Sequence, residues 1–328
     1  LMGFRLSSSS YTIGTTDLSA RDFSVGCLDG SGEFLAAMAR EHGRLRIVHA
    51  PPLPAGWVGK VRACHLLAHH AHGSVLVFVD ADTTLLPGGL SRVTSLLQTQ
   101  NADVVTAVPR QVVHTLAERL VVPLLHLTYT SWLPLALVHR SQDPRILAAN
   151  GQILAIRRHA LETLGGFAAI HDQVVDDMAL CRLAKQTGHR VVFADGHHIA
   201  TCRMYTSARD VWEGFSKNIF EGLGESLTAL AGVSLLYIAA FVLPYVLAIG
   251  AVFEPTLLPV AAVALGATLA TRIVLAVRHR HPVSSVVLHP VGVLFLVAIA
   301  WNSMRWARAG RIRWAGRTYP RLSGRGAR

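Results

Sequence analysis

From about residue 225 onward the sequence has long stretches with hardly a charge, whereas before that point charged, polar and apolar residues interleave as in a water-soluble fold. Leu227 to Phe253 contains no Asp, Glu, Lys or Arg. Leu257 to Val277 contains only Arg272, and Val283 to Trp301 contains none, although His289 and Pro290 interrupt it. These segments also lack the polar stripe that a long helix on a soluble core carries. About twenty apolar residues suffice to cross a hydrocarbon layer of about 30 Å. The first two segments meet that length comfortably and the third only just. Two to three membrane helices are therefore expected over 225–304, followed by a basic tail over 305–328.

Other absences narrow the function. Four cysteines (Cys27, Cys64, Cys181 and Cys202) form no CxxC pair and fit reduced thiols in a cytosol-facing domain better than a disulfide framework. Leu1 to Thr16 is Ser/Thr-rich, has no apolar core and does not start with Met, so no signal peptide is expected. No P-loop, GxGxxG or GxSxG stands in a suitable strand–helix context. His65 and His69 have the i, i+4 spacing of a zinc pair, but no Glu lies between them as in HExxH. With His70 and His72 they read as a solvated face, and His197-His198 is equally unspecific.

What is abundant is positive charge: the net charge is +11. Much of it lies in Arg278–His281 and Arg305–Arg328, beside the apolar segments, which points to membrane lipid as the anionic partner. Nucleic acid would need basic residues and stacking aromatics along the soluble part, and is excluded as a partner. With a cytosolic soluble domain, three true crossings would put the Arg-rich tail outside, against the positive-inside rule. One segment is then re-entrant or interfacial, the Pro290-containing third being the candidate. A transporter would need more polar residues inside the bundle than Arg272 and His289.

From Asp22 to about Gly224, β-rich runs alternate with helical stretches, the pattern of an α/β fold. Strands are expected at Phe23–Leu28, Leu45–His49, Ser74–Val79 and Val104–Val108. Helices are expected at Glu33–Glu41, Val61–His70 and Leu90–Gln98. SVLVFV at 74–79 is a continuous apolar run, as in a strand buried on both faces. Ligands of open α/β sheets bind beyond the carboxyl ends of the strands, which places Asp29 and the Asp80/Asp82 pair at one rim. Val112 to Val138, apolar with Pro123 and Pro134, is either core or a stretch lying on the membrane surface.

Three groups of residues can carry chemistry. Asp80 and Asp82, one residue apart at the end of a buried strand, suit Mg²⁺ or Mn²⁺ with water and diphosphate oxygens completing the shell; alternatively one of them caps a turn with Thr83 and Thr84. Asp176 and Asp177 open a helix running to Lys185. They either complement its macrodipole or, as adjacent like charges, leave one carboxylate poised as a base. Among the basic residues, Lys60 follows a flexible Gly56–Gly59 loop and can meet a phosphate. Arg203, Arg209 and Lys217, around Tyr205, Trp212 and Phe215, either clamp a diphosphate or rest on headgroups.

In order along the chain, PLPAGWVGK (52–60), FVDAD (78–82), ANGQ (149–152), GGF (165–167), VDD (175–177) and WEGFSKN (212–218) resemble the membrane-associated glycosyltransferases of family 2, with WAGR (314–317) similar to a short motif of ceramide- and carotenoid-type members. The resemblance is strongest to carotenoid (chlorobactene-type) and hopanoid-associated glucosyltransferases. It implies a GT-A-like domain over 21–224, a Rossmann-like sheet with flanking helices, followed by the membrane helices. It implies inverting, metal-dependent transfer from a nucleotide-sugar donor, UDP-hexose above all, to a lipid or carotenoid-like hydroxyl at the cell membrane, with the domain facing the cytoplasm. Asp80 and Asp82 would hold the metal, and Asp29 and Lys60 would contact the nucleotide or its phosphates. Asp177 would be the general base, with Asp176 in place of the usual Glu. Arg203, Arg209 and Trp212 lie near an expected Arg-Trp motif whose spacing differs here. The family's first strand and nucleobase turn find no match in residues 1–20, so the sequence reads as N-terminally shortened. The alternative is a catalytically impaired, lipid-binding remnant of such an enzyme.

Overall fold

The computed structural model describes residues 11–15, 22–25, 31–41, 45–131, 135–310, 312–314 and 317–319, with side chains for 35–41, 45–131 and 135–310. The chain divides into two compact units. The first comprises residues 1–110 and 133–204, and the second 111–132 and 205–328.

The first unit is built on one sheet. Its strands are β1 (Tyr11–Thr15), β2 (Asp22–Val25), β3 (Leu45–Val48), β4 (Val75–Asp80), β5 (Thr83–Leu85), β6 (Val104–Gln111), β7 (Ile153–Arg157) and β8 (Val191–Cys202), in the order β3-β2-β1-β4-β7-β6-β8-β5. Helices α1 (Ser31–Glu41), α2 (Gly59–His70) and α3 (Gly89–Thr99) follow β2, β3 and β5. The four positions Leu76–Val79 of β4 are buried, as the unbroken apolar run requires of a strand covered on both faces. Val93 and Leu97 of α3 close one side over Val77, Val79, Val105 and Ile153. Each such fully buried side chain is worth about 1.5–3 kcal/mol.

Sequence alone leaves the centre of the sheet without its first strand. In the structure Tyr11–Thr15 fills that place, antiparallel to both neighbours, with Tyr11 opposite Asp80 and Ile13 opposite Phe78. Without it the inner edge of β4 would expose a row of unpaired backbone groups inside the sheet. β2 and β4 point the same way, so their carboxyl ends share a rim. Cys27 and Asp29 lie outside the described residues.

After β6 the chain leaves the sheet for α4 (Leu116–Val121) and α5 (Leu124–Ser131), then returns with α6 (Leu135–Arg140). The Val112–Val138 stretch thus divides: α4 and α5 belong to the second unit and α6 to the first. After β7 come α7 (Arg158–Thr163), a 3₁₀ turn at Gly166–Ile170 and α8 (Asp176–Gln186). The returning segment is tied to α8 by Lys185, 3% exposed, whose Nζ donates to the carbonyls of Val138 (2.8 Å), Ser141 (2.9 Å) and Ile146 (2.6 Å).

The second unit continues with α9 (Ala208–Ser216), α10 (Ile219–Gly222), α11 (Leu227–Phe241), α12 (Leu243–Gly250), α13 (Leu258–His279), α14 (Ser284–Val287) and α15 (His289–Arg308). Three stretches, Leu227–Gly250, Pro255–His279 and His289–Arg308, are long and apolar enough to cross a membrane. The third segment is one helix. Pro290 stands in the first turn of α15, where its fixed φ and missing N–H start a helix rather than kink one. Arg305 and Arg308, expected in the tail, form its last turn. α15 packs against α4, α9, α10 and α11, and Gly292 lets it close on the Leu120 carbonyl. Leu124 and Leu127 of α5 share a cluster with Tyr237, Phe241, Leu275 and Val293. Strands β9 (Ile312–Trp314) and β10 (Arg317–Tyr319) then pair with Arg317 opposite Trp314.

Candidate active site

The carboxyl end of β4, the first turn of α2, the Asn150–Gln152 turn and the start of α8 converge in the first unit. Lys60 projects from α2 with Nζ 3.0 Å from Asp80 Oδ1 and 3.5 Å from Asp176 Oδ2. Gly151 faces this ammonium, and a Cβ there would stand 2.9 Å from Nζ and 3.4 Å from the Cβ of Asp177. The turn is pinned from behind: the Asn150 N–H donates to Thr106 Oγ1 (2.7 Å), whose hydroxyl donates to the Asn150 carbonyl (2.6 Å), and the Gln152 N–H donates to Asn150 Oδ1 (3.0 Å). Asp80's own N–H donates to the Gln152 carbonyl (3.1 Å), which locks strand end and turn together. A small cavity lies here, lined by Lys60, Cys64, Phe78, Asp80, Phe167 and Asp176 among others.

Electrostatics follow from burial and crowding. Burial pushes the Asp80 carboxyl up to about 7, with Asp82 and Asp176 adding to the rise and Lys60 opposing it. Burial also raises Asp177, followed by the charge of Asp176, while Lys60 and the N–H groups of Met178 and Gly151 hold it down. The Met178 N–H donates to Asp177 Oδ1 at 2.8 Å, so one oxygen is anchored at the helix start. Cys64, Cys181 and Cys202 are free, and burial raises each thiol. They line the interior as protonated groups, not nucleophiles.

Asp80, Asp176 and Asp177 thus share one ammonium, with Asp82 beside Asp80, an excess of negative charge suited to a cation. Among the described residues no group of three or more His, Cys, Asp or Glu is arranged to hold a metal. The Asp80/Asp82 pair fits an ion that takes one or two carboxylates and completes its shell with water and phosphate oxygens, as Mg²⁺ and Mn²⁺ do. Asp82 accepts from Thr83 Oγ1 at 3.2 Å, so turn capping and ligand geometry are compatible.

The structure therefore brings together Lys60, Asp80, Asp82, Asp176 and Asp177. The Arg203 N–H donates to the Asp82 carbonyl (3.2 Å), putting its backbone beside the pair. Arg209 and Trp212 belong to the second unit, where Arg209 pairs with Glu213 on α9 (2.8 Å) and Trp212 meets Phe295 edge-on. Residues 22–219, more than half of the chain, match the model described as glycosyltransferase like family 2. The chain belongs to this family. No match is found among curated proteins. Among solved structures, S. aureus TarS in complex with UDP-GlcNAc is similar at 13% identity over 60% of this chain and 56% of that one, with a TM-score of 0.38. Glucosyl-3-phosphoglycerate synthase from Mycobacterium tuberculosis, in complex with Mn²⁺, UDP-glucose and phosphoglyceric acid, is similar at 19% identity over 56% of this chain and 60% of that one, with a TM-score of 0.33. The family 2 chain thus spans less than two thirds of the length of either.

Gly151 and its Thr106–Asn150 brace are what residue-type reasoning missed. The ANGQ string was visible as a motif, but nothing in its composition says that the glycine makes room for Lys60.

Proposed function

We propose that this family 2 chain transfers a hexose from a nucleotide-diphosphate donor, UDP-hexose above all, to a lipid or carotenoid-like hydroxyl at the cell membrane. The observation that carries the reading is the convergence of Lys60, Asp80, Asp82, Asp176 and Asp177 around Gly151 at the carboxyl rim of the sheet. Family membership and three helices long enough for a membrane support the membrane-bound acceptor, and the catalytic unit is taken to face the cytoplasm.

In this reading Lys60 meets the diphosphate, and Asp80 and Asp82 hold Mg²⁺ or Mn²⁺. An ion held there would supply neutralisation of the charge gathering on the departing diphosphate. Asp29, Arg203, Arg209 and Trp212 remain candidates for donor contacts. Asp177 takes the proton from the acceptor hydroxyl. Its raised proton affinity suits that task, and the N–H groups of Met178 and Gly151 keep its carboxylate aimed. The acceptor oxygen bonds to the anomeric carbon as the bond from that carbon to the diphosphate oxygen breaks, in one displacement that inverts configuration. Positioning and electrostatic stabilisation supply most of the rate.

Calorimetric titration of UDP and UDP-glucose into detergent-purified protein, with and without Mn²⁺, tests the donor half. Metal-dependent binding is expected, and Asp82→Ala should remove the metal dependence. A folded sample that binds neither nucleotide would overturn the reading and leave a lipid-binding remnant.

A further inference from the structure

Arg272 heads the fully buried side chains of the molecule, with 0% exposure on α13 among apolar helices. Its Nη2 donates to the Ser285 carbonyl (3.3 Å) and to Ser285 Oγ (3.4 Å), both long contacts, while Nε and Nη1 have no hydrogen-bond partner. Tyr245 on α12, His281, and His289 at the head of α15 all lie within electrostatic reach of the guanidinium. Each also holds buried, unpartnered atoms: the Tyr245 hydroxyl, His281 Nδ1 and both ring nitrogens of His289. Three separate elements thus bring polar side chains near one buried cation.

Among the described residues, no hydrogen bond or ion pair joins Arg272 to a carboxylate. Between residues 227 and 308 the sequence contains a single acidic residue, Glu254, which accepts from Thr256 Oγ1 in the turn before α13. A buried charge without a partner is strongly unfavourable, and more so where lipid replaces water. Unpartnered donors outnumber acceptors here, a set suited to an anion that accepts several hydrogen bonds. The guanidinium fork matches two oxygens of a phosphate.

We propose that this buried polar cluster binds the phosphate of an anionic membrane lipid, with Arg272 as the fork and Tyr245 and His289 as flanking contacts. Val246, Ile249, Ile273, Val274, Val291 and Leu294 on the same three helices are exposed apolar side chains suited to the acyl chains, which favours a lipid over free phosphate. The cluster does not depend on the donor-site reading.

The test is thermal unfolding of the full chain in neutral detergent, titrated with phosphatidylglycerol, phosphatidylcholine or inorganic phosphate. Phosphatidylglycerol should raise the midpoint well above the effect of equimolar phosphatidylcholine. Arg272→Gln should abolish that increment, and Tyr245→Phe should weaken the apparent affinity about three- to tenfold, the loss of one hydrogen bond. Should Arg272→Gln fail to fold, Tyr245→Phe and Ser285→Ala give the same reading. Equal increments from both lipids, or an increment untouched by the variants, would overturn the proposal. An increment matched by inorganic phosphate alone would also overturn it, in favour of a free-anion site.

Discussion

Gly151→Ala separates the site from the fold more cleanly than removing a charge. Gly151 is not at positive φ, so its backbone accepts alanine without strain. The conflict is local: the new methyl would stand 2.9 Å from Lys60 Nζ, where ordinary contact begins at 3.4 Å. The ammonium must retreat by about 0.5–1 Å. At an effective dielectric of about 20, a retreat from about 3 Å to about 4 Å from a diphosphate oxygen weakens that attraction by about 1.4 kcal/mol. The Lys60 side chain is 19% exposed, and solvent screening trims this toward about 1 kcal/mol. Because the displaced atom ends a flexible side chain, the fold should lose little. The expected result is a five- to tenfold loss in UDP affinity in Mn²⁺, read by calorimetry, with the unfolding midpoint nearly unchanged. Unaltered affinity would refute the placement of Lys60 on the diphosphate. Affinity lost together with the midpoint would show that Gly151 serves packing instead.

Asp177→Asn should leave donor affinity within about twofold and lower transfer by about 10²–10⁴, measured as UDP release with acceptor present; lost donor binding would remove Asp177 from the base role. Metal-supported donor binding should weaken on acidification. Asp80, raised to about 7, must be ionised to hold a cation, so between pH 8 and pH 6 its ionised fraction and the affinity fall about tenfold. The same raised carboxyl works against stability, because ionising it inside the fold costs more than in the unfolded chain as pH climbs from 3.8 toward 7. A flat affinity profile over that window would contradict the assignment. Lys185→Met strands three carbonyls and should cost about 3–5 kcal/mol, seen as a lower denaturant midpoint that Arg does not restore.

The parts legible in sequence were those whose signal is local. Leu76–Val79 announces a two-sided strand, the paired acids at 176–177 open a helix, and charge-free runs mark apolar helices. What escaped depends on distant partners. β8 carries Asp195, His197 and His198 within one strand, a pattern that hides its register against Thr83–Leu85. β1 is fixed by the edges it fills rather than by its own five residues. Lys185 and Arg272 look like surface cations until the carbonyls and helices around them are known. The Lys60–Gly151 contact joins residues 91 positions apart and leaves no periodicity to read.

The detour of the chain through α4 and α5 sets a timetable. Leu127 is covered by Tyr237, Phe241, Leu275 and Val293, and 166 residues separate it from the last of these. At ribosomal speeds of about 5–20 residues per second, roughly 8 to 33 s pass between making α5 and making the last helix that shelters it. During that interval an apolar surface is held open, and a bilayer already at hand would shield it. Insertion during synthesis is the expected way to shelter it, and an expression fragment stopped at residue 204 would carry that bare surface permanently.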